Sequence, residues 1–208
     1  MINNSVLGNL IGTDKNGTGS LGNGHGVYIG DASNYTVGGT APGEANTIAF
    51  NSPAGVTVSG NGVGNRVLSN SIFSNVGMAI DLGSDGVTLN DTGDADTGAN
   101  TLQNFPVITS AKTVSGAVTI KGKLNSVPNK TFLVQFFASR ELSPSGNGQG
   151  KTFLGKKVVS TDILANASFT FKPAQKIFQG QFITAKATDT ASKNTSEFSA
   201  AKKVVRQR

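Results

Sequence analysis

The chain has 208 residues, no cysteine and a formal net charge of +6, with 37% hydrophobic and 14% charged residues. The lack of cysteine excludes disulfide bonds and thiolate chemistry, and no segment approaches the roughly 18 apolar residues of a membrane span. The 27 glycines and low charge favour a turn-rich, β-rich protein of extracellular type. Repeats begin directly after Met1 with no signal peptide, so we expect a piece of a longer secreted or cell-surface protein.

Composition changes abruptly near Asn104 and Phe105. The first 104 residues carry a net charge of −6 and 20 of the 27 glycines, whereas the remainder carries +12 and ten of the twelve phenylalanines. Two domains, 1–104 and 105–208, account for these shifts together.

The first half contains internal repeats. The phrase Asn4–Gly12 returns as Asn65–Phe73, with Asn, Val, Leu, Asn and Ile at matching offsets. A second phrase begins at Gly26, Gly55 and Gly77, and alternate residues after each glycine are apolar. Repeats of this length with period-two alternation predict short parallel strands stacked in coils.

The spacing of the second phrase predicts the length of one coil. Gly55 and Gly77 lie 22 residues apart, which we take as the bare circumference, and this alignment places Asp81 level with Gly30 and Ser59. Longer spacings elsewhere are explained by loop insertions at 14–24 and 38–45. Three to four coils fit, and the first has no capping segment, so its strand edges are expected to invite self-association.

Asparagine recurs at equivalent places in the repeats. We expect these residues to occupy corners, where asparagine tolerates left-handed backbone, and to hydrogen-bond one another along the stack. A polar binding ladder is the functional alternative. The positions are Asn4, Asn34 and Asn65 in one series and Asn9, Asn46 and Asn70 in the other.

The repeated sequence motifs of the first half resemble those of a known family. The run Gly8–Asp14, the Gly17-Thr-Gly step and the run Val37–Gly43 are similar to right-handed parallel β-helix repeat proteins of bacterial surfaces, within the wider pectate-lyase-like superfamily. The segment Leu102–Val107 resembles the end of their terminal module. The resemblance implies a parallel β-helix over 1–104; members include polysaccharide lyases, glycoside hydrolases and non-catalytic adhesins.

Five carboxylates fall within sixteen residues between Asp81 and Asp96. The alternation of Asp94 and Asp96, with Asp91 just before them, is typical of oxygen-rich calcium loops, although the glutamate of an EF-hand is absent. We therefore predict a calcium site at Asp91, Asp94 and Asp96. The alternative is an exposed turn that closes the last coil.

The second half predicts an antiparallel β-sandwich. Seven short alternating segments separated by turn residues suit an immunoglobulin-like or fibronectin-like module, although the cysteine pair and tryptophan of antibody domains are missing. The predicted strands are Val107–Lys112, Val118–Leu124, Phe132–Ala138, Thr152–Ser160, Ser168–Lys172, Phe182–Ala187 and Glu197–Val205.

Catalytic candidates are few. His25 is the only histidine, and it lies between glycines without the Gly-x-Ser-x-Gly motif of a nucleophile elbow. Asp81 and Asp85 are the one carboxylate pair whose spacing suits a glycoside hydrolase. The lyases of the superfamily require a basic residue near calcium, and the coils offer only Lys15 and Arg66.

These observations favour a non-enzymatic extracellular module for surface display, adhesion or carbohydrate contact. The rivals are a polysaccharide-degrading enzyme that uses Asp81 and Asp85, and a structural cap for a longer β-helix. The expected partner is a polysaccharide or cell-surface glycan, since the basic second half lacks any nucleic-acid recognition motif. The coils supply few aromatic side chains for sugar contact: Tyr28, Tyr35, Phe50 and Phe73.

Overall fold

A computed structural model describes residues 4–143 and 146–207 of the chain. Nine short strands fill the first half of these residues, as their alternating apolar positions predict. They are β1 (Ser5–Val6), β2 (Leu10–Ile11), β3 (Val27–Gly30), β4 (Thr36–Gly38), β5 (Thr47–Ala49), β6 (Val56–Ser59), β7 (Arg66–Leu68), β8 (Ser71–Phe73) and β9 (Ile80–Leu82).

These strands form three parallel sheets, in the orders β1-β4-β7, β2-β5-β8 and β3-β6-β9. Each run of three consecutive strands therefore makes one layer, and the layers stack: β1 to β3 first, β4 to β6 second, β7 to β9 third. The protein is all-β with parallel strand stacks, an architecture compatible with a β-helix.

Apolar side chains form columns through the layers because the strands pair in register. One column joins Ile11, Ile48 and Ile72, and the last two are completely buried. Neighbouring columns are built mainly from valine in the same way, and together they form one hydrophobic cluster inside the layers. Residues at alternate positions share a face, so one short repeat fills the interior at every layer.

The alignment of the third layer from the sequence was wrong by two residues. Val56 pairs with Ile80, 24 residues further on, and Asp81 pairs with Thr57 rather than Ser59. Ala79, not Gly77, takes the place of Gly55, because the Ala79 carbonyl accepts from the amide of Val56 just as the Gly55 carbonyl accepts from the amide of Val27. The recurring glycine misled the alignment, because Gly77 lies two residues before the position that is equivalent to Gly55.

Eight further strands follow a short 3-10 helix, Ala99–Leu102. They are β10 (Val107–Val114), β11 (Ala117–Asn125), β12 (Thr131–Ser139), β13 (Thr152–Ser160), β14 (Asn166–Phe171), β15 (Phe182–Asp189), β16 (Lys202–Lys203) and β17 (Val205–Arg206). They form two four-stranded sheets, β14-β11-β10-β17 and β13-β12-β15-β16, paired antiparallel except for β10 with β17. Both sheets contribute to one apolar core that contains Phe132, Phe136 and Phe169.

The first six strands predicted for this half are present with small differences in length. The seventh, Glu197–Val205, was wrong: only Lys202–Lys203 and Val205–Arg206 are strands. The residues before Lys202 instead hydrogen-bond to β15 through Ser196 and Ser199, while Thr195 and Glu197 contact the third layer. Among the described residues, no helix has the length and apolar character that crossing a membrane requires.

Candidate functional site

Asparagine ladders run along two corners of the layers. At the first, the side-chain oxygen of Asn46 accepts from the backbone and side-chain nitrogens of Asn9 at 2.8 and 3.1 Å, and Asn70 does the same for Asn46 at 2.9 Å. This ladder confirms the stacking predicted for the series that begins at Asn9. In the other predicted series, the register places Tyr35 rather than Asn34 level with Asn65.

The second ladder, which the repeats did not reveal, joins Asn23, Asn51 and Asn75. It continues beyond the third layer into the antiparallel half. The Oε1 atom of Gln149 accepts from the backbone nitrogen of Asn75 at 3.0 Å, and its Nε2 atom donates back to the Asn75 carbonyl at 2.7 Å. Gln149 therefore stands where a fourth asparagine would stand.

All three strands of the third layer receive partners from the antiparallel half. On β8, Ile72 and Gly150 exchange two backbone hydrogen bonds of 2.9 and 2.8 Å. On β7, the amide of Val67 donates to Thr195 Oγ1 at 3.1 Å, and on β9 the amide of Leu82 donates to Glu197 Oε1 at 3.0 Å. The outer edge of the layers is thus closed at this end.

Aromatic side chains seal the same junction. Phe137 from β12 and Phe198 are completely or almost completely buried, and they belong to the hydrophobic cluster of the layers rather than to the core between the two sheets. Their ring centroids lie 5.1 Å apart in an edge-to-face arrangement. The hydrophobic cluster of the layers therefore extends into the antiparallel half.

Two buried ionisable groups lie at this junction. The Nζ atom of Lys186 donates to the carbonyl of Val67 and to Gln135 Oε1, and burial lowers the pKa of Lys186 to about 7. Burial, followed by the charges of Asp81 and Asp85, raises the pKa of Glu197 to about 8. Neither residue was predicted from the sequence, although each is a charged residue within an otherwise apolar or hydroxyl-rich segment.

Two of the three catalytic candidates, His25 and Asp81, lie on the outer face of the sheet β3-β6-β9, whereas Asp85 lies in the turn after β9. His25 Nδ1 lies 2.9 Å from Thr57 Oγ1, and Thr57 is the in-register neighbour of Asp81 on the next strand. Tyr28, which is more than half exposed, receives a hydrogen bond from Ser59 at 2.7 Å. The fold therefore brings His25 and Asp81 to one surface, although the sequence did not connect them.

Asp81 is poorly accessible on that surface. It is 6% exposed, and its Oδ1 atom accepts from the amide of Gly86 at 3.3 Å. Burial raises the pKa of Asp81, and the charge of exposed Asp85 adds to the shift. A carboxyl with a raised pKa suits a general acid, but one covered by its own turn has little access to a polymer.

The acidic loop folds against the end of β11. Asp94 is buried and accepts from the amide of Asn104 at 2.8 Å, from the Gln103 side chain and from the Ser126 hydroxyl. The carboxylate of Asp91 accepts from the amide of Ala95. These contacts bring one oxygen from each of Asp91, Asp94 and Asp96 within 4.8 Å of one another.

Two oxygens in this cluster have no protein partner. Asp91 Oδ1 and Asp96 Oδ1 are buried without a hydrogen bond, which is costly unless a cation or a proton satisfies them. Burial raises the pKa of Asp94 to about 6, with smaller contributions from Asp96 and Asp91. The three aspartates could hold a metal ion, because oxygen donors this close repel one another until a cation neutralises them.

A cleft lies between the layers and the antiparallel sheets. It has a volume of about 1000 Å³, and its lining includes Phe50 and Phe73 from the layers and Arg140, Glu141 and Lys151 from the antiparallel half. Two of the four aromatic candidates from the sequence therefore face a cavity. Its basic residues belong to the second half of the chain and could not be assigned to a site from their sequence positions.

Comparisons with known proteins assign no family to this arrangement. No protein-family model matches the chain, and no curated protein matches it.

Proposed function

We propose that the chain is a non-enzymatic module of an extracellular surface protein, in which the antiparallel half caps a parallel β-helix. In this proposal the layers are turns of a right-handed β-helix, and the two packed sheets are an immunoglobulin-like sandwich. The cap prevents further strands from adding at the third layer and so ends the stack. This is the structural alternative among those that the sequence left open.

One observation carries this proposal: side chains of the second half take the hydrogen-bonding places of a missing fourth layer. Gln149 continues the Asn51–Asn75 ladder, because its Oε1 atom accepts from both the backbone and the side-chain nitrogen of Asn75. Thr195 and Glu197 accept from strand amides that would otherwise donate to a fourth layer. Open strand edges invite association, and natural β-proteins commonly cover them. A stack that is built by repetition also needs a terminal unit of different sequence.

Amide hydrogen exchange and light scattering test the cap. We expect Gln149→Leu to speed exchange at the amide of Asn75, because this amide loses its acceptor, and to promote oligomers through the exposed third layer. Gln175→Leu is the matched control, since Gln175 is exposed and lies away from the ladder. Unchanged exchange at Asn75 together with a monodisperse variant would contradict the proposal.

The edge of the first layer lies at the end of the stack opposite the cap. Within residues 4–143 and 146–207, each of β1, β2 and β3 pairs with a strand on one side only. Leu7, Leu10 and Tyr28 are each at least 40% exposed on this first layer. We propose that this edge mediates self-association, which light scattering over a concentration series measures; Leu10→Arg should shift the equilibrium toward monomer. Failure of the wild-type protein to associate at any concentration would contradict this part alone.

The acidic loop supports a second proposal, that Asp91, Asp94 and Asp96 bind calcium. The buried, unpartnered oxygens of Asp91 and Asp96 favour it, because a hard cation would satisfy both. We expect calcium to raise the melting temperature of the wild-type protein and to have little effect on Asp96→Asn. Asp85→Asn is the control, since Asp85 lies outside the cluster. Equal calcium responses in all three proteins would contradict the site.

A polysaccharide-degrading enzyme is the rival function, and the common face of His25, Thr57 and Asp81 favours it. Product release from acidic and neutral polysaccharides, with and without calcium, separates the two functions. Reducing ends or unsaturated products that appear with the wild-type protein and disappear in Asp81→Asn would overturn the non-enzymatic proposal. No product from any polysaccharide is the expected result, because the turn after β9 covers Asp81.

A further inference from the structure

The cleft at the junction combines aromatic and cationic groups from the two halves of the chain. Phe50 and Phe73 pack edge to face with their ring centroids 5.9 Å apart, and Lys151 holds its Nζ atom 4.3 Å from the centre of the Phe73 ring. The aromatic side chains come from the second and third layers, whereas Lys151 immediately precedes β13. This wall of two aromatic rings and one ammonium group therefore exists only when the antiparallel half is docked on the layers.

A smaller depression of about 290 Å³ continues the cleft along the antiparallel half. Arg140 and Gln181 line both cavities, and Phe178 lines only the smaller one. The Phe178 side chain is 60% exposed beside this depression. An extended ligand could therefore pass from the Phe50 and Phe73 wall, across Arg140, to Phe178.

The charge of this surface selects the ligand. Arg140 and Lys151 are exposed on the cleft, and Glu141 is the one acidic residue among the lining residues that the structure describes. Arginine binds carboxylate and sulfate groups with paired hydrogen bonds, while aromatic rings pack against the apolar faces of sugars. Amide and hydroxyl groups of Gln181 and Thr152 supply further hydrogen-bonding partners along the cleft.

We propose that this cleft binds an anionic polysaccharide, with Arg140 and Lys151 contacting its acidic groups and Phe178 contacting a sugar face. The cleft adjoins the cap contact between Asn75 and Gln149, which both line it, and it is separate from the outer face that carries His25 and Asp81. It lies outside the acidic loop and needs no metal ion. Glu141 limits the affinity by repelling the anionic ligand.

Binding of two matched oligosaccharides by calorimetry tests the proposal. The probes are an oligomannuronate and a neutral β-linked mannan oligosaccharide of the same length, which differ in the carboxylate on each sugar. We expect the full chain to prefer the oligomannuronate, with Arg140→Ala and Lys151→Ala each weakening its binding by about tenfold or more. The matched controls are Arg206→Ala and Lys112→Ala, which remove exposed basic residues from the other sheet and should leave the affinity unchanged.

Two more variants separate recognition from loss of structure. Glu141→Gln should tighten oligomannuronate binding by about threefold at low salt without changing binding of the neutral probe, a gain that unfolding does not produce. Phe178→Ala should weaken binding of both probes, because it removes a sugar contact rather than a charge. Equal affinity for the two probes, an unchanged affinity in Arg140→Ala, or tighter binding of an acidic peptide or a DNA oligonucleotide would overturn the proposal.

Discussion

The parallel layers and the antiparallel sheets bury different kinds of side chain. The layers contain ladders of asparagine, with Asn46, Asn51 and Asn70 almost completely buried and fully hydrogen-bonded. The core between the sheets is built from phenylalanine and aliphatic residues without such ladders. The difference follows from topology, because identical residues come into contact only where the chain repeats itself at every layer.

This difference explains why the junction is unusual. The strands of a parallel layer form their backbone hydrogen bonds with the next layer of the stack, whereas the strands of an antiparallel sheet form them with one another. Where the two meet, Gln149, Thr195 and Glu197 replace the missing layer with side-chain acceptors. Four experiments should break or sharpen the comparison, and they are ordered by expected effect.

The largest effect is expected from Phe198→Ala at the junction. Phe198 packs against Phe137 inside the cluster of the layers, so the substitution should lower the free energy of unfolding by about 3–5 kcal/mol. Because the cluster of the layers contains residues from both halves, we expect one cooperative transition in chemical denaturation followed by circular dichroism. Two separate transitions in the wild-type protein would show that the halves are energetically independent.

The ladders should contribute next. Asn51→Ala removes a completely buried amide that donates to Ala49 and Asn75 and accepts from Asn23, and we expect a loss of about 2–4 kcal/mol in the free energy of unfolding. Asn9→Ala, at the exposed end of its ladder, should cost less than about 1 kcal/mol. Denaturant titration measures both variants, and equal losses would mean that burial does not determine the value of a ladder position.

The buried ionisable groups predict how stability depends on pH. Glu197 has its pKa raised from 4.5 to about 8, so its folded state holds the proton more tightly. That stabilisation is complete below pH 4.5 and is lost as the pH rises through 8. Lys186, with its pKa lowered from 10.5 to about 7, acts in the opposite sense, so stability should rise between pH 7 and 10.5.

Matched variants assign these slopes. Glu197→Gln should flatten the fall in unfolding free energy between pH 6 and 8, above the range in which Asp94, with a pKa of about 6, titrates. Lys186→Met should flatten the rise above pH 8, because methionine fills a similar volume without a charge. Denaturant titrations across this pH range give the slopes, and identical slopes in wild type and variants would contradict the assignment.

The smallest effects are expected in two exposed turns that use the same device. Asp14 accepts from the amides of Asn16 and Thr18, and Asp162 accepts from those of Leu164 and Asn166. Asp14→Ala and Asp162→Ala should each lower the melting temperature less than Asn51→Ala does, because water replaces the lost contacts. Backbone hydrogen bonds from Gly19 and Thr18 in its own turn keep the pKa of Asp14 below its usual range, so the Asp14 contribution should fade only under acidic conditions.

Much of the architecture could be predicted from the sequence. Period-two alternation placed the inward columns that begin at Val27 and Val56 correctly in the first two layers, whereas it aligned the third layer two residues too early. The same rule located six strands of the second half, because each strand buries one face against the core between the sheets. The acidic cluster was also predictable, since its three aspartates lie within six residues and local contacts suffice to bring their oxygens together.

The tertiary structure alone decided how the halves meet. Gln149, Lys186 and Glu197 are separated by long stretches of chain from the strands they contact, and no local pattern indicates which amide each one will face. The cleft has the same origin, because Phe73 and Lys151 become neighbours only when the halves dock. Short-range periodicity specifies strands and ladders, whereas contacts between groups distant in sequence depend on the packing of the complete chain.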